Sequence, residues 1–524
     1  MRTTRTHLFD LGSYALVAVW VSVAVYVSAA NPLVGISDMF GFIPRAQSLS
    51  LHDLSPWVDG FYPFGYPLLL KGLSTLIGDY EVSGRVLSLL AGVIALLTVY
   101  RTSRSIFTPT VALLALAICC TNPTFLRYSV ISSTDMPAVA FLAVGTYCVC
   151  RFGVTHELRH LLAGGASIGA AYLIRYNAIA AVPAVLVWLW LQPAPPISWK
   201  HRFQQCVLFL SALVASASPQ LLLSMVGQGN PFYNLQARNV YFGMYGGGNW
   251  GLNMPAAHTI ATLSQVVLAH PGVFLSSWYH NLLGVLRLDV VQFPLTLVSF
   301  AGMLYCLRRP QSRDRGVLLC LIAVAYTATI CMAFPSTRLL LFTTVVLSMF
   351  AAFGLVAFVP HRLRLTFPHA VPIRTPCVVA LTGWLVLAYT RPAVLHPLSE
   401  YDKTRIDVSR TLAQQGIRSV SEVLSFSFDY YDMTKPTKDR FALPWYATEF
   451  RPYESVDDIA RRMQRAGEQF LVFDDRAPRN VRGLKSIWPF DESDLRRCFE
   501  DVATVSGSVH VYRLREMPTN RGPS

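Results

Sequence analysis

The stretch Leu11–Ala30 reads LGSYALVAVWVSVAVYVSAA and contains no charged side chain. An apolar run of this length is what an α-helix needs to cross the hydrocarbon core of a bilayer. Arg2, Arg5 and His7 precede the run, which places the N-terminus on the cytoplasmic side. Because the run is long for the apolar region of a signal peptide, we interpret it as an uncleaved membrane anchor.

Apolar runs of similar length recur along the chain. Of the 524 residues, 53% are hydrophobic and only 14% are charged, whereas soluble domains carry about 25% charged residues. The composition therefore predicts an α-helical polytopic membrane protein with about eleven transmembrane helices. The predicted spans lie at about 11–30, 84–100, 109–125, 135–152, 161–174, 177–191, 204–226, 289–307, 316–334, 339–359 and 377–391.

The connections between these runs alternate in charge. One side carries 15 basic residues in short loops against three acidic ones, and the other side carries two long loops at 31–83 and 227–288. The basic side is cytoplasmic by the positive-inside rule. We therefore expect a multi-pass protein of the inner (plasma) membrane, with a cytoplasmic N-terminus and an extracytoplasmic C-terminal domain.

The end of the chain has the composition of a soluble domain. Residues 392–524 hold 20 basic and 20 acidic side chains, so the net charge of +14 belongs entirely to the membrane part. Membrane topology explains this excess, and no nucleic acid partner is expected.

Helical and strand-like patterns alternate in this part of the chain and predict a small α/β domain. The predicted helices lie at 402–415 and 455–466, and the predicted strands at 419–424, 469–473 and 509–514. We expect a transmembrane domain at 1–391, a soluble extracytoplasmic α/β domain at 392–517 and a disordered tail at 518–524.

Few acidic residues are placed to carry chemistry on the outer side. Asp38 is the first candidate, because Phe42 and Ala46 follow it at i+4 and i+8 and can share its helical face. Burial beside apolar groups increases the proton affinity of a carboxylate, which suits a general base. The alternative is an ordinary first-turn acid of a helix capped by Ser37.

Asp135 is the second acidic candidate. It precedes Met136 and Pro137 at the external start of the fourth apolar run. A catalytic role requires Asp135 to face Asp38 across the bundle. The alternative is an N-terminal acid of a helix with proline in its first turn.

Two arginines lie in very short outer turns between apolar runs. Arg175 follows Leu173-Ile174, and Arg338 follows Pro335-Ser336-Thr337. A guanidinium in such a turn can hold a lipid phosphate through paired charge-assisted hydrogen bonds. The alternative is that each side chain only reaches up to the headgroups.

Several short motifs, taken in their order, resemble the GT-C superfamily of integral membrane glycosyltransferases. Within that superfamily, the motifs resemble those of the protein O-mannosyltransferases and the lipid A aminoarabinose transferases. The order and topological placement of the motifs are more specific than any one of them. They are Asp38-x3-Phe42-x3-Ala46, YPFGYP at 62–67, GRVLS at 84–88, LRYS at 126–129, DMP at 135–137, AYLIRY at 171–176 and RLL at 338–340.

The resemblance implies an inverting transfer of a sugar from a polyprenyl-phosphate donor to a glycan, lipid or protein acceptor at the outer face of the bilayer. It assigns Asp38 as the general base and Asp135 as the second acidic position. It implies contacts to the donor phosphate from Arg85, Arg127, Arg175 and Arg338. It also implies a donor and acceptor cleft lined by Phe42, Tyr62, Tyr66, Tyr176 and Arg238.

Three points of the resemblance limit what it implies. Some relatives hold a divalent metal ion nearby, but no ligand set for one is identifiable here, and the ten cysteines show no metal-ligand spacing. Phe42 stands where the family more often has tyrosine. The YPFGYP segment lacks the acidic residue and the lysine of the aminoarabinose transferases, so aminoarabinose is not the expected sugar.

A transporter or a flippase for lipid-linked glycans is the main alternative function. It predicts charged or broken helices at mid-membrane and internal repeats. A membrane scaffold, or a polysaccharide polymerase or ligase, is a further alternative. The clustering of acidic residues at the outer boundary favours the glycosyltransferase.

Overall fold

The computed structural model describes residues 2–30, 39–58, 60–192, 198–245, 260–288, 295–358, 400–417, 422–426, 455–474 and 492–515. Within these ranges the chain is mostly helical, with one small sheet near its C-terminus. It is a multi-pass membrane protein, as its composition predicts.

The helices of the membrane part follow each other through short turns and two longer loops. They are α1 (Arg2–Ala30), α2 (Met39–Ser48), α3 (Gly65–Ile77), α4 (Tyr80–Ile106), α5 (Pro109–Thr121), α6 (Pro123–Val130), α7 (Asp135–Thr155), α8 (Leu158–Ile174), α9 (Ala181–Leu191), α10 (Trp199–Gln228), α11 (Gln236–Tyr245), α12 (Leu263–Ala269), α13 (Pro271–Val285), α14 (Leu295–Arg308), α15 (Pro310–Cys331) and α16 (Leu341–Phe358). Single 3-10 turns lie at Ser55–Trp57 and Tyr176–Ala180.

Within the described ranges, α1, α4, α7, α10 and α15 are long and apolar enough to cross a membrane, and the bent pair α5–α6 would make a sixth span. Shorter apolar helices occupy four more of the predicted spans: 158–174, 176–191, 295–308 and 341–357. The span predicted at 377–391 lies outside the described residues. The number of eleven spans therefore stays a prediction.

The third predicted span, 109–125, is broken rather than continuous. Helix α5 ends at Thr121, and α6 leaves at an angle of 64°. Asn122 accepts a hydrogen bond from the backbone N–H of Phe125 at 2.9 Å, which caps the new helix. Pro123 cannot donate a backbone hydrogen bond to the preceding turn, so it favours the break.

Glycines allow close contact between the helices. A Cβ atom on Gly165 would lie 2.3 Å from the carbonyl oxygen of Phe209, and one on Gly169 would lie 2.5 Å from that of Leu213. Only glycine permits the approach of α8 to α10 at these two positions. Small residues at helix contacts are a common basis of packing in membranes.

The C-terminal region contains the predicted α/β fold. Its helices are α17 (Glu400–Gln414), α18 (Val456–Ala466) and α19 (Glu492–Cys498), and its strands are β1 (Val423–Phe426), β2 (Phe470–Asp474), β3 (Phe499–Val505) and β4 (Val509–Leu514). The strand order is β1-β2-β4-β3, with β1 parallel to β2 and the other pairs antiparallel. Strand β3 and helix α19 were not among the elements predicted from sequence.

Alternation along β2 places helices on both faces of the sheet. Phe470 and Val472 pack with Val408 of α17, whereas Leu471 and Phe473 pack with Ile459 of α18. The cluster on the α17 face also includes buried side chains of α2 and α3 in the first long loop. The sheet region and the first loop therefore share one apolar core.

Candidate functional site

Asp135, the first residue of α7, is the centre of a buried ion cluster. Its side chain is 3% exposed. Oδ1 accepts a hydrogen bond from Nη1 of Arg175, and Oδ2 accepts one from Nε of Arg338 at 2.7 Å. Among the described residues, two guanidinium groups therefore contact one carboxylate.

Helix ends position both arginines. Arg175 directly follows the last residue of α8 in an extended conformation, with φ −148° and ψ 126°, so its side chain leaves the helix line. Its Nη1 also donates to Oγ1 of Thr134 at 3.2 Å. Arg338 lies in the turn between α15 and α16, and its guanidinium stands 5.8 Å from the centre of the Tyr128 ring.

The segment ahead of Asp135 adds buried hydroxyl groups. Ser132, Ser133 and Thr134 are all 0% exposed. Oγ of Ser133 accepts a hydrogen bond from the Asp135 backbone N–H at 3.3 Å. Buried polar groups are costly unless they are paired, so their concentration marks this segment as a candidate site.

Tyr66 joins the first loop to this segment. Its hydroxyl lies 2.8 Å from Oγ of Ser132 and is completely buried. A Cβ on Gly84 would come within 1.6 Å of that serine oxygen, and one on Gly65 would come within 2.3 Å of the Leu173 carbonyl. Burial raises the pKa of the Tyr66 phenol, so the hydroxyl keeps its proton.

Phe42 and Tyr62 lie beside Tyr66. The Phe42 ring is 1% exposed and meets the rings of Tyr62 and Tyr66 edge-on at 4.8 and 5.1 Å. The same apolar cluster includes Ala138 of α7 and Ile174 of α8, close in sequence to Asp135 and Arg175. Helix α2 therefore packs near the ion cluster, whereas Asp38 lies outside the described residues and stays a predicted base.

Arg45, which was not a predicted site residue, holds this loop in shape. Only 8% of the residue is exposed. Its guanidinium donates to the carbonyl oxygens of Tyr62 at 2.7 Å and of Trp57 at 3.1 Å. The sequence signal for such a role is weak, because a single arginine in a loop has many other uses.

The remaining predicted residues are not among the side chains that bind Asp135. Arg85 donates to the Ser28 carbonyl at the end of α1 and pairs with Glu81, which is 3% exposed. Arg127 is exposed on α6, and Arg238 is partly buried on α11. Tyr176 is 6% exposed and packs on Tyr172 with ring centres 5.3 Å apart.

Two residues beside the cluster were missed from the sequence. Tyr326 of α15 is 3% exposed, and its hydroxyl accepts a hydrogen bond from Nδ2 of Asn177 at 3.3 Å. In the sequence, a tyrosine inside an apolar helix looks like an ordinary core residue. Only the three-dimensional structure shows its contact with Asn177.

The described residues do not fit a divalent metal ion. Within them, no three His, Cys, Asp or Glu side chains come together as a ligand set. Both carboxylate oxygens of Asp135 accept hydrogen bonds from arginines instead. No step of the proposed reaction is therefore assigned to a metal.

A family model described as dolichyl-phosphate-mannose-protein mannosyltransferase matches residues 62–221. This range contains Tyr66, Asp135 and Arg175. No curated protein matches the sequence significantly.

Two groups of solved structures match over nearly the whole chain. ArnT from Cupriavidus metallidurans bound to undecaprenyl phosphate has a TM-score of 0.54 at 12% identity and covers 100% of both chains. Its apo form has a TM-score of 0.58 at 13% identity, over 95% of this chain and 98% of that one.

The archaeal oligosaccharyltransferase AglB from Archaeoglobus fulgidus, in complex with an inhibitory peptide and a dolichol-phosphate, has a TM-score of 0.52 at 13% identity. It covers 97% of this chain and 75% of that chain. The predicted resemblance is confirmed at the level of the fold: the chain has the GT-C fold of integral membrane glycosyltransferases.

Proposed function

We propose that this protein transfers a sugar from a polyprenyl-phosphate donor to an acceptor at the membrane face that carries the long loops. The observation that carries the proposal is the convergence of Arg175 and Arg338 on buried Asp135. ArnT bound to undecaprenyl phosphate and AglB with dolichol-phosphate share the fold, which supports a lipid-linked donor here.

Two guanidinium groups that meet at one carboxylate suit a phosphodiester. A polyprenyl-phosphate sugar carries one negative charge, and the departing polyprenyl phosphate gains a second. Guanidinium groups in a site of low dielectric stabilise that developing charge more strongly than the starting one. Nε and Nη2 of Arg175 have no hydrogen-bond partner within the described chain, so they are available as donors.

In the proposed reaction, an acceptor hydroxyl oxygen attacks the anomeric carbon from the side opposite the phosphate. The bond from that carbon to the phosphate oxygen breaks, and its electron pair leaves with the polyprenyl phosphate. The anomeric configuration therefore inverts. The hydroxyl proton passes to a carboxylate, for which Asp38 is the proposed base.

The position of α2 supports this choice of base. Asp38 directly precedes Met39, the first residue of α2, and Phe42 lies one turn further along the helix. Phe42 packs against Tyr66, whose hydroxyl reaches Ser132, three residues before Asp135. We assign Asp135 a positioning role, since each of its oxygens accepts a hydrogen bond from an arginine.

Transfer from labelled polyprenyl-phosphate sugars tests the proposal directly. Purified protein is incubated with a panel of donors and with envelope extract as the source of acceptor. We expect wild-type transfer from at least one donor, and a loss of about 100-fold or more in Arg175→Ala, because a stabiliser of developing charge is removed. Asp38→Asn should lose activity while keeping the wild-type affinity for the donor.

Arg287→Ala is the matched control, because Arg287 is an exposed arginine in the second long loop and is not among the side chains that bind Asp135. Its activity should stay near that of the wild type. Equal losses of transfer activity in Arg175→Ala and Arg287→Ala would contradict a specific role of the cluster in the reaction. Absence of transfer from every donor, with movement of a lipid-linked glycan across proteoliposome membranes, would support the flippase instead.

A further inference from the structure

Tyr326 of α15 lies between the two segments that carry the arginines of the ion cluster. It is 3% exposed, and its hydroxyl accepts a hydrogen bond from Nδ2 of Asn177 at 3.3 Å. Its ring meets that of Phe342, the second residue of α16, edge-on with the ring centres 5.3 Å apart. Asn177 follows Arg175 by two residues, and Phe342 follows Arg338 by four. One buried tyrosine therefore contacts both arginine-bearing segments.

The contact with Asn177 holds the turn that begins at Arg175. The backbone N–H of Ala178 donates to the Arg175 carbonyl at 3.1 Å, so Asn177 is enclosed in this turn. The turn leads into the 3-10 segment Tyr176–Ala180, which connects α8 to α9. The hydrogen bond from Asn177 to α15 therefore restrains the backbone from which the Arg175 side chain extends.

The contact with Phe342 is reinforced by a hydrogen bond between the same two helices. Oγ1 of Thr327 lies 2.9 Å from Oγ1 of Thr343, one residue further along each helix. The backbone N–H of Leu341 donates to the Arg338 carbonyl at 3.3 Å, so the turn that carries Arg338 leads directly into this contact. Helix α15 therefore supports the first turn of α16 and, with it, the backbone of Arg338.

We propose that Tyr326 is a positioning residue that keeps Arg175 and Arg338 at the separation needed to bind the donor phosphate together, an inference that rests on the proposed function. Donors stabilise developing charge best when they are fixed in place before the reaction. Asp135 orients the two guanidinium groups at the ends of the side chains. Tyr326 holds the backbone segments from which those side chains extend.

Tyr326→Phe tests the proposal, because it removes the hydroxyl and keeps the ring that packs on Phe342. Kinetics are measured with the labelled polyprenyl-phosphate sugar that the wild type uses. Loss of one hydrogen bond that positions a charge should lower kcat by roughly 2- to 10-fold. The KM for the donor should stay near the wild-type value, because the charge on the departing phosphate develops only in the transition state. An unchanged kcat would overturn the proposal.

Asn177→Ala separates positioning from a general loss of folded protein. If the hydroxyl acts through Asn177, adding Tyr326→Phe to Asn177→Ala should change kcat by less than about 2-fold, because the shared hydrogen bond is already absent. A general loss of folded protein would lower kcat by the same factor in both backgrounds. Such an equal loss would show that Tyr326 acts independently of the turn, and it would overturn the proposal.

Tyr100→Phe is the matched control. Tyr100 is 4% exposed, and its hydroxyl donates to Oδ1 of Asp10 at 3.0 Å, near the end of α4 that carries Arg104. Its kcat should stay near that of the wild type, and an equal loss in the two phenylalanine variants would overturn the proposal. The transfer rate of the wild type tests the proposed function, whereas the ratio of each variant to the wild type tests the role of Tyr326, so the two can fail separately.

Discussion

Two carboxylates at opposite ends of the bundle bind arginine in different ways. Asp10 of α1 pairs with Arg104 of α4 and accepts a hydrogen bond from Tyr100 at 3.0 Å, and the side chains of the ion pair are 33% and 32% exposed. Asp135 is 3% exposed and binds two arginines that are 14% and 22% exposed.

The two carboxylates differ in burial and in the number of arginines that contact them. A partly exposed pair with one cation for each carboxylate is balanced and screened by solvent, and it contributes little to stability. A buried carboxylate and the arginines that contact it lie in a medium of lower dielectric, where charges interact more strongly. The pair at Asp10 joins two helices, whereas we propose that the arginines at Asp135 bind the donor phosphate.

Replacing one arginine partner of each carboxylate by alanine tests this distinction and has the largest expected effect. We expect Arg338→Ala to lower kcat/KM for sugar transfer by about 100-fold or more, since it removes a stabiliser of the departing phosphate. Arg104→Ala should remain near the wild-type value, because Arg104 lies at the other end of α4. Steady-state kinetics of both variants check this, and similar losses would contradict the comparison.

Neutralising the two carboxylates tests their different burial. Asp135→Asn removes the charge of a buried carboxylate that two arginines contact and should lower the free energy of unfolding by about 3–5 kcal/mol. Asp10→Asn should cost about 1 kcal/mol or less, because solvent already screens that pair. Denaturation in detergent measures both variants, and equal costs would show that burial does not separate the two sites.

Two glycines test the contact that connects the first loop to the Asp135 segment. A Cβ on Gly84 would clash with Ser132 and disturb its hydrogen bond to Tyr66, so Gly84→Ala should cost about 1–3 kcal/mol and reduce transfer. Gly72 is exposed within α3, and apart from its chain neighbours and the backbone of its own helix, no part of the described chain lies within 4 Å of the point that a Cβ would occupy there. Gly72→Ala should therefore gain about 0.5–1 kcal/mol. Loss of stability in both would exclude a specific role for the Gly84 contact.

Glu468, in the sheet region, is a third carboxylate in a different environment. Its substitution is expected to have a smaller effect on stability. Burial raises the pKa of its carboxyl, and nearby Arg462 partly opposes that shift. The folded state therefore binds the proton of Glu468 more tightly than the unfolded state does. This proton binding stabilises the fold at pH values below the unfolded pKa, and the contribution is lost as the pH rises through the folded pKa.

Glu468→Gln should therefore be more stable than the wild type at about pH 8, by less than about 1 kcal/mol, because the partly exposed charge is screened. The difference should disappear at about pH 4, close to the ordinary pKa of a glutamate. Unfolding midpoints of the two proteins at both pH values check this. A constant difference across pH would exclude ionisation of Glu468 as its cause.

The helical class, most span positions and the existence of a C-terminal α/β fold could be predicted from the amino-acid sequence. These properties depend on local apolar periodicity, length and charge placement, which each segment expresses without its neighbours. Asp135, Arg175 and Arg338 were also identified individually, because charged residues beside apolar runs are rare and therefore conspicuous.

The contacts of Arg175 and Arg338 with Asp135 could not be predicted from the sequence. The hydrogen bond from Arg85 to the end of α1 could not be predicted either. The break at Asn122 and the approach of Tyr326 to Asn177 were also visible only in three dimensions. Such contacts join residues far apart in the chain, and they depend on how helices pack and which backbones glycine allows to approach. Local sequence patterns determine helices and their apolar faces, whereas packing determines which charges meet.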